Sequence, residues 1–133
     1  MERSFVLVKP DGVERGLVGE IISRIERKGL KLIDAKLLSP TRDLVSIHYE
    51  EHAEKPFFSD LVESIADKRV FAMIVEGENC IKLLRIMVGD KDPLLASPGT
   101  IRGDYAAETT RNIVHASDSL KSSEREINIW FGE

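Results

Sequence analysis

The chain has 133 residues, of which 42% are hydrophobic and 32% are charged, with a formal net charge of -4. This length and composition predict one globular domain over residues 1–133. The negative charge argues against an acidic membrane surface or a specific nucleic acid as partner, so phosphate affinity requires a local cluster of basic residues. The single cysteine, Cys80, excludes an internal disulfide framework, and no segment resembles a membrane span or a signal peptide. We therefore expect a soluble cytoplasmic protein.

The predicted elements of the first half alternate between strands and helices. A short apolar run at 4–8 predicts a buried strand, and residues 9–12 carry the proline and glycine of a turn. Apolar residues recur at helical spacing over 17–28, and Gly29 is the expected end of this helix. Residues 31–38 predict the second strand.

The second half continues this alternation and contains a long loop. Its predicted elements are a helix opened by Thr41 and interrupted at 56–58, a helix at 61–65, a strand at 70–75, a helix at 80–88 ended by Gly89, a loop at 90–103, a strand at 111–114 and a helix beginning at Ser122. The order β-α-β-α-β-α-β fits a split βαβ arrangement, an antiparallel sheet with helices on one face. A small parallel sheet is the alternative.

His115 stands where the strand at 111–114 is expected to end, because the Ser and Asp residues at 117–119 favour turns. The rim of a sheet suits a ligand-binding side chain, whereas a lone histidine is more often bonded to its own turn. A nucleophilic histidine needs a partner that fixes its tautomer. Glu126, expected at the start of the next helix, is a good candidate, although such a residue taken alone is more often a helix-capping carboxylate. Ser117 or Asp118 could also orient the ring.

Phosphate binding would depend on side chains, because the chain has neither of the standard glycine-rich phosphate loops. Five cations lie at element ends or in loops: Lys9, Arg85, Lys91, Arg102 and Arg111. Arginine matches phosphate oxygens with its planar fork, and lysine acts as a movable point charge. Taken singly, each of these side chains is more often a solvated surface charge.

Two further motifs admit more than one interpretation. His48, Glu51 and His52 form the His-x-x-Glu-His pattern of some zinc proteases, although a charged amphipathic helix produces the same spacing by chance. Phe57, which follows Pro56, is either a core residue or an exposed ring that stacks on a nucleobase. A tertiary structure is needed to decide between these interpretations.

The segment Asn112-Ile-Val-His115-Ala-Ser117-Asp118-Ser119 resembles the signature of the nucleoside diphosphate kinase family. Other blocks resemble family motifs in the same order and at matching spacing, namely residues 8–13, 15–19, 48–49, 56–58 and 97–104. The resemblance covers essentially the whole chain. It implies a ferredoxin-like α/β sandwich, a four-stranded antiparallel sheet with helices packed on it. It also implies transfer of the γ-phosphate of a nucleoside triphosphate, typically ATP, to a nucleoside diphosphate by a ping-pong mechanism through a phosphohistidine.

The resemblance also assigns roles to individual side chains. The catalytic residues it implies are His115 as the phosphate acceptor, Glu126 as its orienting carboxylate, Tyr49 and Ser117. The nucleotide-binding residues it implies, which meet the ribose, the base or the phosphates, are Lys9, Phe57, Arg85, Lys91, Arg102 and Asn112. Mg²⁺ is expected on the nucleotide phosphates rather than in a protein cage.

The chain departs from the family pattern at three points. Lys91 replaces a threonine that touches phosphate, so its charge either substitutes for that hydrogen bond or loosens its geometry. Thr109 stands where an aliphatic residue covers the base, and the chain lacks the longer tail found beyond the position of Glu133. The resemblance implies a homo-oligomer, with a hexamer built of dimers as first choice and a tetramer as second. The short tail bears on this choice, because such tails contribute to subunit contacts in the family. Lys91 also leaves open a nucleotide-binding regulatory protein without turnover.

Overall fold

The computed structural model describes residues 1–133, and its centre is one sheet of four strands. The strands are β1 (Glu2–Val8), β2 (Lys31–Leu38), β3 (Val70–Gly77) and β4 (Val114–Ala116). They lie in the order β2-β3-β1-β4, and every neighbouring pair is antiparallel. The predicted antiparallel sheet is therefore confirmed, and the parallel alternative is wrong.

Seven α-helices connect and cover the strands. They are α1 (Pro10–Glu14), α2 (Val18–Arg27), α3 (Arg42–His48), α4 (Phe58–Ile65), α5 (Cys80–Val88), α6 (Ile101–Tyr105) and α7 (Leu120–Phe131). A short 3₁₀ helix, Glu50–His52, lies between α3 and α4. As predicted, Thr41 caps α3, because its hydroxyl accepts the Leu44 N–H. None of these helices combines the length and apolar character that a membrane crossing requires.

Helices cover both faces of the sheet, not one face as the element order suggested. On β1, Val6 and Val8 belong to a core cluster with residues of α2 and α5. Phe5 and Leu7 belong to a second cluster with residues of α3, α4 and α7. Successive side chains of a strand point to opposite faces, so the unbroken apolar run of β1 requires cover on both sides.

Several predicted boundaries are wrong where a candidate site residue lies. Residues 10–14 form α1 rather than a turn, because Pro10 takes the first helical position, where its missing N–H costs no hydrogen bond. Helix α6 begins inside the predicted loop and carries Arg102. Helix α7 is capped by Ser119, so Glu126 lies in its interior rather than at its start.

Candidate active site

Residues that are distant in the sequence meet in one cavity of about 530 Å³. Eight of the ten predicted site residues line it: Lys9, Tyr49, Arg85, Lys91, Arg102, Asn112, His115 and Glu126. Ser117 is fully buried behind Glu126, and neither Phe57 nor Arg111 lines the cavity. Four cations and four carboxylates face this space, so the cavity suits a strongly polar ligand.

His115 is the central residue of β4 and pairs with Leu7 of β1. The prediction of a strand at 111–114 that ends before His115 is wrong, since β4 shares only Val114 with it and includes His115. The strand begins at Val114 because Ile113 has a φ of +76°, which a strand does not accept. The His115 Nε2–H donates to the Glu126 carboxylate, at 3.0 Å from Oε1 and 3.1 Å from Oε2. Nδ1 has no hydrogen-bond partner in the protein, and the side chain is 31% exposed at the cavity. An imidazole held in this way presents an unprotonated Nδ1 to a ligand.

Glu126 is buried and also accepts the hydroxyl of Ser117, 2.6 Å from Oε1. Burial raises the pKa of Glu126, but the hydrogen bond and charge of His115, together with Ser117, outweigh it and hold the pKa below its usual range. Glu126 is therefore an ionised acceptor. Because an ionised carboxylate only accepts hydrogen bonds, the proton in this contact belongs to Nε2 of His115.

His48 forms the cavity wall behind His115, with the two rings edge-to-face and their centroids 5.3 Å apart. The Trp130 Nε1–H donates to His48 Nδ1 at 3.0 Å. Burial, followed by the nearby His115, lowers the pKa of His48 to about 4. Tyr49 packs edge-on against His48 at 4.8 Å, and burial raises the pKa of Tyr49 to about 12. Both side chains are therefore neutral near pH 7.

The His-x-x-Glu-His pattern does not assemble a zinc site. Helix α3 ends at His48, so His52 falls in the 3₁₀ helix and the two rings are not presented by successive turns of one helix. His48 Nδ1 is occupied by the indole of Trp130, and His52 Nε2 lies 3.6 Å from Glu51. The only cluster of three ligand-type side chains combines His48 with the hydrogen-bonded pair His115 and Glu126. The zinc hypothesis thus has no ligand set here.

Lys9 and Asn112 form a hydrogen-bonded pair in the wall of the cavity. The Lys9 ammonium donates to Asn112 Oδ1 at 2.9 Å and to the Thr110 carbonyl at 3.2 Å. Burial lowers the pKa of Lys9, and the charge of Asp11 opposes that shift. The Asn112 Nδ2 donates to the Thr109 carbonyl at 2.9 Å. A third ammonium hydrogen of Lys9 therefore remains for a ligand.

The other three cations of the cavity differ in how they are held. Arg102 is buried and donates to three backbone carbonyls, at 2.7, 3.1 and 3.2 Å. Burial, reinforced by the charge of Arg85, lowers the pKa of Arg102 to about 10. Arg85 makes one hydrogen bond, to the Ala116 carbonyl at 3.3 Å, and Lys91 is exposed and makes none. Arg85 and Lys91 thus keep most of their donors available.

Phe57 lies at the edge of the cavity rather than in its wall. Its ring is 45% exposed, and its centroid lies 5.7 Å from that of His52, which does line the cavity. The neighbouring Phe58 packs against the core instead. Of the two rings, Phe57 is therefore the one with a face available for stacking.

Several wall residues were missed or assigned another role by the sequence analysis. Asp90 and Ser122 line the cavity although neither was predicted as a site residue, and Asp118 was named only as a possible orienting group. The Ser122 hydroxyl holds the pKa of Asp118 below its usual range. His52 Nδ1 is the one buried side-chain polar atom without a hydrogen-bond partner. No spacing rule identifies these residues, since they become neighbours only through packing.

Comparisons with known proteins agree with this geometry. A sequence profile of the family described as nucleoside diphosphate kinase matches residues 2–133. The chain is 57% identical over 133 residues to the nucleoside diphosphate kinase of Archaeoglobus fulgidus, covering 100% of this chain and 88% of that protein. The Staphylococcus aureus nucleoside diphosphate kinase is 54% identical over the same 133 residues, with 89% of that protein covered.

Solved structures give the same result. A nucleoside diphosphate kinase family protein from Babesia bovis superposes with a TM-score of 0.96 at 53% identity, covering 98% of this chain and 88% of that one. A halophilic nucleoside diphosphate kinase from Halobacterium salinarum, in complex with CDP, superposes with a TM-score of 0.95 at 46% identity, covering 99% of this chain and 88% of that one. These likenesses support a phosphotransferase, not the regulatory protein without turnover. The chain belongs to the nucleoside diphosphate kinase family, whose enzymes transfer phosphate from nucleoside triphosphates to nucleoside diphosphates.

Proposed function

We propose that this enzyme works by a ping-pong mechanism in which His115 Nδ1 carries the transferred phosphoryl group. The observation that supports this role is the contact of His115 Nε2 with Glu126, at 3.0 and 3.1 Å. That contact leaves Nδ1 as the unprotonated ring nitrogen. A histidine nucleophile requires this combination of a fixed tautomer and a free lone pair.

In the first half-reaction, the Nδ1 lone pair attacks the γ-phosphorus of the triphosphate. A nitrogen–phosphorus bond forms while the bond to the bridging oxygen breaks, and the diphosphate leaves with that electron pair. In the second half-reaction, a terminal oxygen of another diphosphate attacks the phosphohistidine, and the lone pair returns to Nδ1. The Nε2 proton stays on His115 throughout, because Glu126 stabilises the positive charge that develops on the ring.

The cations of the cavity would bind the phosphate chain. Arg85 and Lys91 have donors that the protein does not use, and Lys9 retains one ammonium hydrogen. Arg102 donates to three carbonyls with three of its five N–H groups, so it contributes its charge, two remaining donors and the rigidity of the wall. Phosphoryl transfer asks the protein mostly for alignment and charge stabilisation, which these side chains supply.

The nucleoside end of the ligand would lie toward Phe57, with Lys9 and Asn112 at the ribose. The half-exposed ring of Phe57 offers a stacking surface that does not discriminate between bases. The Halobacterium salinarum enzyme was solved with CDP, a nucleoside diphosphate, which supports this ligand class for the cavity. We expect broad base tolerance, because stacking does not read the hydrogen-bonding edge of a base.

Mg²⁺ would enter on the nucleotide phosphates. The residues fit this arrangement, because the only three-membered cluster of ligand-type side chains contains two imidazoles, which Mg²⁺ does not prefer. Its members also have partners already, since His115 bonds Glu126 and His48 Nδ1 accepts the Trp130 N–H. The carboxylates of Asp118 and Asp90 also face the cavity, where a phosphate-bound cation would lie. When bound, Mg²⁺ neutralises part of the phosphate charge.

Labelling with γ-³²P-ATP and Mg²⁺ tests the role of His115. We expect an acid-labile, alkali-stable label on the protein that is chased off by an unlabelled nucleoside diphosphate. His115→Ala should abolish both label and transfer, whereas Asp43→Ala, a change at an exposed site in α3, should leave both intact. Full transfer by His115→Ala would reject the assignment.

We also propose that the chain forms a homo-oligomer, with a hexamer first and a tetramer second. Strand β2 is an edge of the sheet, and two of its apolar side chains, Ile33 and Leu37, are exposed. Leu94 and Leu95 are exposed in the loop before α6. An unpaired sheet edge with apolar side chains favours association with a second chain. Light scattering measures the mass, and Leu37→Lys should reduce it.

A cytoplasmic location is proposed from the only cysteine. The Cys80 thiol is free and buried, and burial raises its pKa to about 11, so it is protonated and poorly reactive. A single unpaired cysteine is typical of proteins in reducing compartments. Cell fractionation tests this, and we expect the enzyme in the cytosolic fraction.

A further inference from the structure

The backbone just before β4 is strained. Ile113 has a φ of +76° and is completely buried. The Val114 N–H donates to the Asn112 carbonyl at 2.8 Å, which closes a three-residue γ-turn centred on Ile113. A β-branched residue rarely adopts this conformation, so the surrounding structure must hold it in place.

Two hydrogen bonds from the start of α1 hold the Ile113 peptide groups. The Asp11 carboxylate accepts the Ile113 N–H at 3.0 Å in a buried contact. The Ile113 carbonyl accepts the Lys9 N–H at 2.8 Å. Gly12 permits this close approach, because a Cβ at that position would lie 2.8 Å from the Ile113 carbonyl oxygen.

The residues that flank Ile113, both before and after the turn, help to build the active site. Arg102 donates to the Asn112 carbonyl at 3.2 Å and to the Val114 carbonyl at 2.7 Å. Asn112 presents its side chain to the cavity directly before Ile113, and His115 follows two residues later. Relaxation of Ile113 to a negative φ would rotate the peptide groups on both sides. The Asn112 side chain and the start of β4 would then lose their positions.

We infer that Asp11 is a positioning residue for phosphoryl transfer, which acts by holding the strained turn at Ile113. The inference rests on the proposed role of His115. Asp11 is 8% exposed and does not line the catalytic cavity, so it has no access to the substrate. Its hydrogen bond reaches the backbone two residues before the nucleophile.

Three variants separate the hydrogen bond from the charge of Asp11. In Asp11→Ala, we expect kcat to fall by about 100-fold with a small change in KM, because a misplaced nucleophile slows chemistry more than binding. Asp11→Asn keeps an oxygen acceptor without the charge and should stay within about tenfold of the wild type. Asp43→Ala removes an exposed carboxylate from the first turn of α3 and should leave kcat unchanged.

The decisive measurement is the double variant Asp11→Ala/Ile113→Gly. Glycine adopts a positive φ without strain, so the turn no longer depends on Asp11, and kcat should recover by about tenfold relative to Asp11→Ala. A purely structural role of Asp11 would give no recovery, because Ile113→Gly also removes a buried side chain and lowers stability. All rates are taken below the unfolding midpoint of each variant.

If the double variant does not fold, amide hydrogen exchange in the Asp11→Ala variant tests the inference instead. We expect faster exchange at Ile113 with the central strands β1 and β3 still protected. The inference is overturned by wild-type kcat in Asp11→Ala, by an equal loss in Asp11→Asn, by unchanged exchange at Ile113, or by no recovery in a folded double variant. These results leave the proposed function intact as long as the wild type forms a phosphohistidine and transfers phosphate.

Discussion

Both carboxylate oxygens of Glu126 contact Nε2 of His115, at 3.0 and 3.1 Å. The two residues lie on different elements, Glu126 on α7 and His115 on β4. This nearly symmetric contact determines both the tautomer and the orientation of the ring. Ser117 in turn holds one of the two oxygens at 2.6 Å. The ring of His115, the proposed nucleophile, is therefore oriented by two buried side chains, Glu126 and Ser117.

Glu126→Gln should lower kcat by about 100-fold or more with little change in nucleotide KM, because a neutral amide does not stabilise the positive charge that develops on His115. Steady-state transfer from ATP to a second diphosphate measures both constants. Glu124→Gln, an exposed change on the same helix, is the matched control and should retain wild-type rates. Equal rates in both variants would contradict the orienting role of Glu126.

Ser117→Ala should lower kcat by about tenfold, since the Glu126 carboxylate loses a buried donor that fixes its position. Ser123 provides the comparison, because it is equally buried but donates to the Arg3 carbonyl, away from His115. Ser123→Ala should cost about 1 kcal/mol of unfolding free energy and leave kcat unchanged. Chemical denaturation and steady-state kinetics on both variants test this separation.

Lys91→Thr should raise the KM for ATP by about two- to fivefold at low salt while kcat is retained, because an exposed ammonium attracts phosphate through a partly screened charge. The dependence of KM on ionic strength should also become weaker. Lys28→Thr removes an exposed lysine at the end of α2 and serves as control. An unchanged KM at low salt would exclude a phosphate-binding role for Lys91.

The buried His48 predicts a dependence of stability on pH. Folding lowers its pKa from 6.5 to about 4, so between these values the unfolded chain binds a proton that the folded protein does not. The contribution of His48 is therefore complete above pH 6.5 and is lost as the pH falls toward 4. A pKa difference of this size is worth about 3 kcal/mol, at about 1.4 kcal/mol per pKa unit.

Urea denaturation between pH 4 and 8 measures this effect in the wild type and in His48→Gln. The Gln carbonyl can still accept the Trp130 N–H, but it does not titrate. The variant should therefore lose much of the slope between pH 6.5 and 4.5. An identical slope in both proteins would assign the pH dependence to other groups.

Much of the fold could be predicted from local sequence. The apolar run of β1, the helical spacing of α2 and the capping Thr41 all act within a few residues, so their signals survive without tertiary information. The errors arose where backbone geometry depends on distant contacts. The turn at Ile113 is the clearest case, since its positive φ is held by Asp11 and Lys9 from the other end of the chain.

The residues of the candidate site could be predicted from the sequence better than their arrangement could. The family resemblance named His115 and Glu126, but the boundary error placed Glu126 at a helix start. The structure puts it in the interior of α7, one of the helices packed against β1, facing a strand that also pairs with β1. Arg102 was expected to hold phosphate, whereas its guanidinium donates to three backbone carbonyls around the same cavity. No local sequence pattern distinguishes a guanidinium that donates to backbone carbonyls from one whose donors are free for a ligand.

Sequence alone thus determined the order of the elements, the residue types of the site and the family signature, because these depend on neighbours in the chain. Tertiary structure decided which nitrogen of His115 is free, why His48 is a neutral wall rather than a zinc ligand, and what holds Ile113 in its strained conformation. Each of these depends on a hydrogen bond between side chain and partner more than ten residues apart. Such bonds form only when helices and strands pack in one register, and local propensities do not encode that register.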